Sequence, residues 1–123
     1  MIKKTRNPLE KELNRKIVQW LSITPGVVWF ERLNSGKIKT EYGSWIQLCK
    51  KGTPDYIALI HDGSIAHTLF IEAKRLGCKQ SPEQEWFEEK IITSDIKNVR
   101  YIVARDVLSV INAINDITFG NEI

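Results

Sequence analysis

Two carboxylates and a lysine stand in this chain at a spacing that suits phosphate chemistry. Asp55 follows Gly52-Thr53-Pro54 and opens the apolar run Tyr56-Ile57-Ala58-Leu59-Ile60, while Glu72 and Lys74 close a second run, Thr68-Leu69-Phe70-Ile71. Between the runs, His61-Asp62-Gly63-Ser64 carries an Asp-Gly turn signal, so the segment predicts a β-hairpin. A two- or four-residue loop centred on Asp62-Gly63 sets Asp55 opposite Phe70. Side chains alternate faces along a strand, so Asp55, Phe70, Glu72 and Lys74 then share one face. Glu72 lies diagonal to Asp55, about 7–8 Å away between backbones, and both carboxylates can reach one cation.

A hard divalent cation, Mg²⁺ or Mn²⁺, takes oxygen ligands: a few carboxylates completed by water and substrate phosphate. Asp55 and Glu72 supply two, and the carbonyl of Ala73 can supply a third. Such an ion stabilises charge on a phosphate and makes its bound water easier to ionise. Lys74, on the same face, is placed to hold that water or to neutralise charge developing on phosphorus. Without a cation the clustered acids raise one another's pKa values. Each residue alone also has a structural reading. Pro-Asp is common turn chemistry, and a Glu-x-Lys pair is commonly a solvated pair on an edge strand. His61 and His67 flank the turn and read as turn residues, not ligands.

The elements that must hold these groups follow from pattern and composition. With 123 residues, 42% of them hydrophobic, the chain reads as one globular domain over residues 1–123. No apolar run approaches the ~20 residues of a membrane span. The basic start MIKKTRNPLEKEL leads into a charged amphipathic stretch, which argues against a secretory signal. Cys49 and Cys78 have neither a CxxC pattern nor a His partner at metal spacing, which predicts reduced thiols in a cytoplasmic protein. The formal charge of +3 permits nucleic-acid binding without requiring it.

Leu9, Leu13, Ile17, Trp20 and Leu21 recur at helical spacing, predicting a first helix over about 8–21, ended by Thr24-Pro25-Gly26. Val27 to Leu33 reads as a strand turned by Asn34-Ser35-Gly36. Lys37 to Leu48 is either a second strand or a long loop. Strands over 55–60 and 65–74 follow. Ser81-Pro82-Glu83 is a helix start, with Ser as N-cap and Pro at the first helical position, and the helix runs to about Ser94. A buried strand over Val99–Ala104 and a closing helix from Asp106 to about Asn115, with Val107, Val110, Ile111 and Ile114 inward, complete the order. The fold class is α/β: a central mixed sheet flanked by helices. Trp20 and Trp86 fit amphipathic core positions, whereas Trp45 with Tyr42 is a candidate DNA contact.

Gly52-Thr53-Pro54-Asp55, sixteen residues, then Glu72-Ala73-Lys74 resembles the PD-(D/E)xK nuclease motif. The continuation KRLGCKQSPEQEWFEEKI, from Lys74 to Ile91, resembles the VRR-NUC branch of that superfamily in its stand-alone, phage-like form. The likeness spans about residues 9 to 105 and implies a restriction-endonuclease-like core. It further implies metal-dependent hydrolysis of DNA phosphodiesters, with Asp55 and Glu72 as metal ligands and Lys74 as catalytic lysine. Gln84, in the SPEQ segment, matches a position that the family uses near its active site; in the first turn of the helix its amide can face the acids. A first-helix acid completes the family's metal site, and here Glu10 fits best with Glu12 as rival. Cys78 departs from the pattern, standing where many members have a second glycine; the turn is altered but not the metal site.

Lys51 directly precedes the GTPD segment and Arg75 directly follows EAK; with Lys79 they are candidates for phosphate contacts beside the metal. The resemblance suggests branched DNA, a flap or a four-way junction, as substrate. A two-fold junction would call for a homodimer. Nuclease action on linear duplex or single strands is the alternative, as is a non-catalytic DNA-binding module on the same fold.

Overall fold

The computed structural model describes residues 8–33 and 37–120. The helix α1 (Pro8–Ile23) leads into β1 (Val27–Arg32), the short strands β2 (Lys37–Lys39) and β3 (Trp45–Gln47), and the hairpin β4 (Tyr56–His61) and β5 (Ala66–Ala73). Then come α2 (Pro82–Thr93), β6 (Val99–Ala104) and α3 (Val107–Phe119). The main sheet has the order β1-β4-β5-β6. It is mixed: β5 pairs antiparallel with β4 and parallel with β6. The parallel pairing demands a crossover, which α2 supplies. Among the described residues no helix is long and apolar enough to cross a membrane. The Asn34-Ser35-Gly36 turn lies outside the described residues.

One face of the sheet carries the core. Leu13, Ile17 and Leu21, one per turn of α1, pack with Val110, Ala113, Ile114 and Ile117 of α3 over Tyr56, Ala58, Ile60, Leu69 and Ile71. The other face is covered by α2 through Phe87, whose ring meets Phe70 edge-on at 5.3 Å and Tyr101 at 5.9 Å. Serine 81 caps α2 as its sequence predicts, and Asp106 caps α3 by accepting the N–H of Ser109.

Several expectations are corrected. The hairpin register is two residues displaced: Tyr56 pairs Ile71 and Ile57 pairs Phe70, which brings Asp55 opposite Glu72 rather than Phe70. The cause is the turn. Asp62 Oδ1 accepts the N–H groups of Ser64 and Ile65 and Oδ2 meets His67 Nε2 at 2.7 Å. Asp62 therefore opens the loop instead of centring it. His67, then the two backbone donors, hold the Asp62 carboxyl well below the usual carboxylate range. A slip of two preserves side-chain parity, so Asp55 and Glu72 keep the same face.

Lys37 to Leu48 is neither a single strand nor a long loop but a small two-stranded ribbon, β2 with β3. Helix α3 runs past Asn115 to Phe119; Val107 and Ile111 are only half-buried, and Ala113 and Ile117 join the core in their place. Trp20 is 39% exposed and Trp86 56% exposed, so neither is a core residue; Leu9 is also exposed. Each lies at helical spacing, but spacing alone does not set how wide a stripe the packed partners cover.

A buried polar pair fixes α1 on the sheet. The Tyr56 hydroxyl donates to Asn14 Oδ1 at 2.6 Å, and Asn14 Nδ2 donates to the carbonyl of Glu10 at 2.9 Å. Tyr56→Phe strands the Asn14 acceptor away from water, so a loss of about 1–3 kcal/mol is expected. It should appear as a lower urea midpoint with an unchanged slope; an unchanged midpoint would show that the pair does not anchor the helix.

Candidate active site at the mouth of the central hairpin

Asp55 is positioned by a loop that only glycine can make. Thr53 N–H bonds back to the carbonyl of Lys50 at 3.1 Å, with Gly52 between them at φ +91°. A Cβ on Gly52 would stand 2.5 Å from the carbonyl oxygen of Glu83 in the first turn of α2. The loop and that helix therefore touch backbone to backbone, and Pro54 is buried behind them. Asp55 is then tied to both neighbours: its carbonyl accepts Leu33 N–H at 2.7 Å and its Oδ2 accepts Ala73 N–H at 2.8 Å. Gly52→Ala combines a disfavoured φ with a backbone clash, and a loss of about 3 kcal/mol or more is expected. A thermal midpoint near that of the wild type would refute this packing.

Glu72 is the fully buried acid, 2% exposed at the end of β5. Its Oε1 accepts from Gln84 Nε2 at 2.9 Å, and Gln84 Oε1 in turn accepts the N–H of Ser81 at 2.8 Å. Ser81 Oγ returns a bond from the Gln84 N–H at 3.2 Å, closing a capping box. One amide thus starts α2 and orients the acid. Glu72 Oε2 is buried and meets no donor. Burial, then the charge of Asp55 and a hydrogen bond shared with it, push the Glu72 carboxyl up to about 9; Lys74 opposes this and Glu10 adds to it. Burial and the neighbouring Asp55 thus favour the protonated form of this acid in the isolated protein.

Glu10, Asp55, Glu72, Ala73, Lys74, Arg75, Cys78 and Gln84 line one polar pocket of about 160 Å³. Of the two first-helix candidates, Glu10 is the one the fold brings there. Glu12 is exposed and ion-paired to Arg15 at 2.6 Å, facing an adjoining cleft. Arg75 lies at the pocket, its Nε donating to Cys78 Sγ at 3.0 Å. The segment behind it is held by Arg105, whose Nη1 donates to the carbonyls of Arg75 and Cys78. Lys51 and Lys79 do not join the pocket. Lys51 lines a separate hollow with Lys50, Pro82, Glu83 and Trp86, and Lys79 is exposed on the β5–α2 connection.

Among the described residues no group of three or more His, Cys, Asp or Glu side chains forms a metal cage. A hexahydrate-derived cation needs less, since it keeps several waters and takes one or two carboxylates plus substrate phosphate. The buried, donorless Glu72 Oε2 beside the Asp55 carboxylate fits that smaller requirement.

Sequence reasoning missed Asn14, Tyr56 and Arg105, which set the pocket's walls from outside it. A lone Asn among the apolar residues of α1 was the available signal for the first pair. Comparison with protein-family models, curated proteins and solved structures gives no match to this chain.

Proposed function

We propose that the chain is a Mg²⁺- or Mn²⁺-dependent deoxyribonuclease with a restriction-endonuclease-like core, hydrolysing phosphodiester bonds. One observation carries this. Two carboxylates from paired strands, a lysine and an orienting amide line one pocket, and the buried carboxylate has an oxygen with no donor. Two acids packed together in a buried pocket repel one another as anions, and a cation is the partner that chemistry supplies to such a pair.

Asp55, Glu72 and the Ala73 carbonyl would hold the ion, with Glu10 closing the set from α1. Once bound, the ion makes a coordinated water easier to ionise and offsets charge on the phosphate. Gln84 orients Glu72 through the hydrogen bond that its side-chain amide donates. The Lys74 ammonium stabilises charge developing on phosphorus, and Arg75, at the rim, contacts a flanking phosphate. Lys51 and Lys79 contact the backbone further out. The sequence resemblance extends the proposal to the PD-(D/E)xK superfamily and its VRR-NUC branch. It also suggests flap or four-way (Holliday) junction DNA as substrate, a homodimer matched to a two-fold junction, and the cytoplasm of a bacterial or phage-infected cell.

The test is cleavage of labelled linear, flapped and four-way-junction DNA with Mg²⁺, Mn²⁺ or EDTA, by wild type and Asp55→Asn. Cutting that requires the metal and disappears in the variant is expected, with branched DNA cut fastest. Cutting that persists in EDTA, or no cutting of any substrate, sinks the proposal. Light scattering on the DNA complex reads the dimer separately.

A further inference from the structure

We propose that the β2–β3 ribbon is a DNA-contacting arm that lays its Lys37, Lys39 and Trp45 face into the major groove of a duplex. The identification of the partner as DNA rests on the proposed nuclease function; the shape and chemistry of the arm do not. All six strand residues are exposed, so the ribbon stands away from the body of the fold with both faces open. The pairing Lys37 with Gln47 and Lys39 with Trp45 sets two lysines and a tryptophan on one face. At the tip, Tyr42 is 87% exposed, and Trp45 is 64% exposed.

Residues 37–51 hold four lysines against the single acid Glu41, so the arm suits a polyanion. Two like-charged arms would repel each other, which disfavours a second copy as occupant. A merely solvated turn gains nothing from exposed aromatic rings, each of which leaves apolar area in water at about 25 cal/mol per Å². Size agrees as well. Strands about 4.8 Å apart, with side chains, make a ribbon that the ~12 Å major groove of B-DNA admits, whereas the deep narrow groove of duplex RNA does not. Seven residues separate Gln47 from Asp55, at most about 28 Å from one Cα to the other, so arm and acids are within reach of one duplex.

The experiment is anisotropy titration of short labelled DNA in EDTA, where no cutting intervenes, with Lys37→Ala/Lys39→Ala/Trp45→Ala and, separately, Lys39→Glu. At least ~10-fold weaker binding by the triple variant is expected, with the salt slope shallower by about 2. Lys39→Glu should weaken binding in the same direction, and thermal midpoints of both should stay at the wild-type value. Unchanged affinity and slope in both variants overturn the arm. So does an equal loss on duplex RNA, or a change only in the number of copies per complex. Wild type that binds through the arm but never cuts keeps this inference and ends the nuclease proposal. Wild type that cuts, with arm variants binding normally, does the reverse.

Discussion

Lys74→Ala is expected to slow metal-dependent DNA cleavage by about 10²–10³-fold while leaving DNA affinity in EDTA within a few-fold of wild type. The side chain lines the acid pocket and is half-buried, so its charge acts at short range and under reduced screening. Removing one preorganised group that stabilises transition-state charge commonly costs this much. Structure should survive the change. The part of Lys74 that braces the fold is its backbone N–H, bonded to the carbonyl of Ala104 at 2.9 Å, and alanine keeps it. Lys74→Arg should not restore the rate, because a planar fork does not reproduce a compact ammonium. Single-turnover cleavage at saturating protein isolates the effect. Activity within tenfold of wild type would remove Lys74 from the chemistry.

Glu72→Gln should abolish cleavage and yet stabilise the metal-free protein, and the gain should depend on pH. The direction follows from the raised carboxyl. In the unfolded chain Glu72 ionises near 4.5, whereas in the fold burial and Asp55 hold it protonated up to about 9. Between those values the native state binds more protons than the unfolded state, so wild-type stability falls as pH rises. Below about pH 4.5 both states are protonated and no penalty exists. Glutamine is the uncharged isostere: its carbonyl can keep the bond from Gln84 and its amide can face Asp55. The variant should therefore exceed wild type by about 2–3 kcal/mol at pH 7 in EDTA, and by less than about 1 kcal/mol at pH 5. Adding Mg²⁺ at pH 8 should raise the wild-type midpoint and leave the variant unmoved. Urea titrations at pH 5, 7 and 9 decide the matter; a gap that does not grow with pH would show that Glu72 is not held protonated.

Local signals foretold the site more faithfully than the surfaces around it. The alternation of the two apolar runs sufficed to put Asp55 and Glu72 on one face, because parity survives a register slip of two. The register itself was not legible. It depends on whether Asp62 accepts backbone bonds as the first loop residue or sits at the turn's centre, and Asp-Gly is compatible with both. The SPEQ segment foretold a capped helix with Gln84 facing the acids, since capping is a contact within four residues. Trp86 failed for the opposite reason. Helical spacing places a residue on a stripe, but how wide a stripe is covered depends on partners far away in sequence. Here α2 seats only its Phe87 side on the sheet. The Tyr56–Asn14 bond spans 42 residues, beyond the reach of any local pattern, and so was Arg105 closing over the 75–78 turn.

The ribbon has a place in the topology that bears on how such a protein could diversify. Strands β1 and β4 are antiparallel neighbours, and Leu33 and Asp55 are already joined by a backbone bond at 2.7 Å. Segment 37–49, which lies between them, is an excursion out of a hairpin whose two ends are fixed by the sheet. Lengthening such an excursion costs little, since doubling a flexible loop adds only about 0.6 kcal/mol of closure entropy. Segment 37–49 is therefore open to insertion, deletion and exchange in a way that the acids at the start of β4 and the end of β5 are not. Selection could rewrite what this chain grips, one cassette at a time, without disturbing the carboxylates beneath.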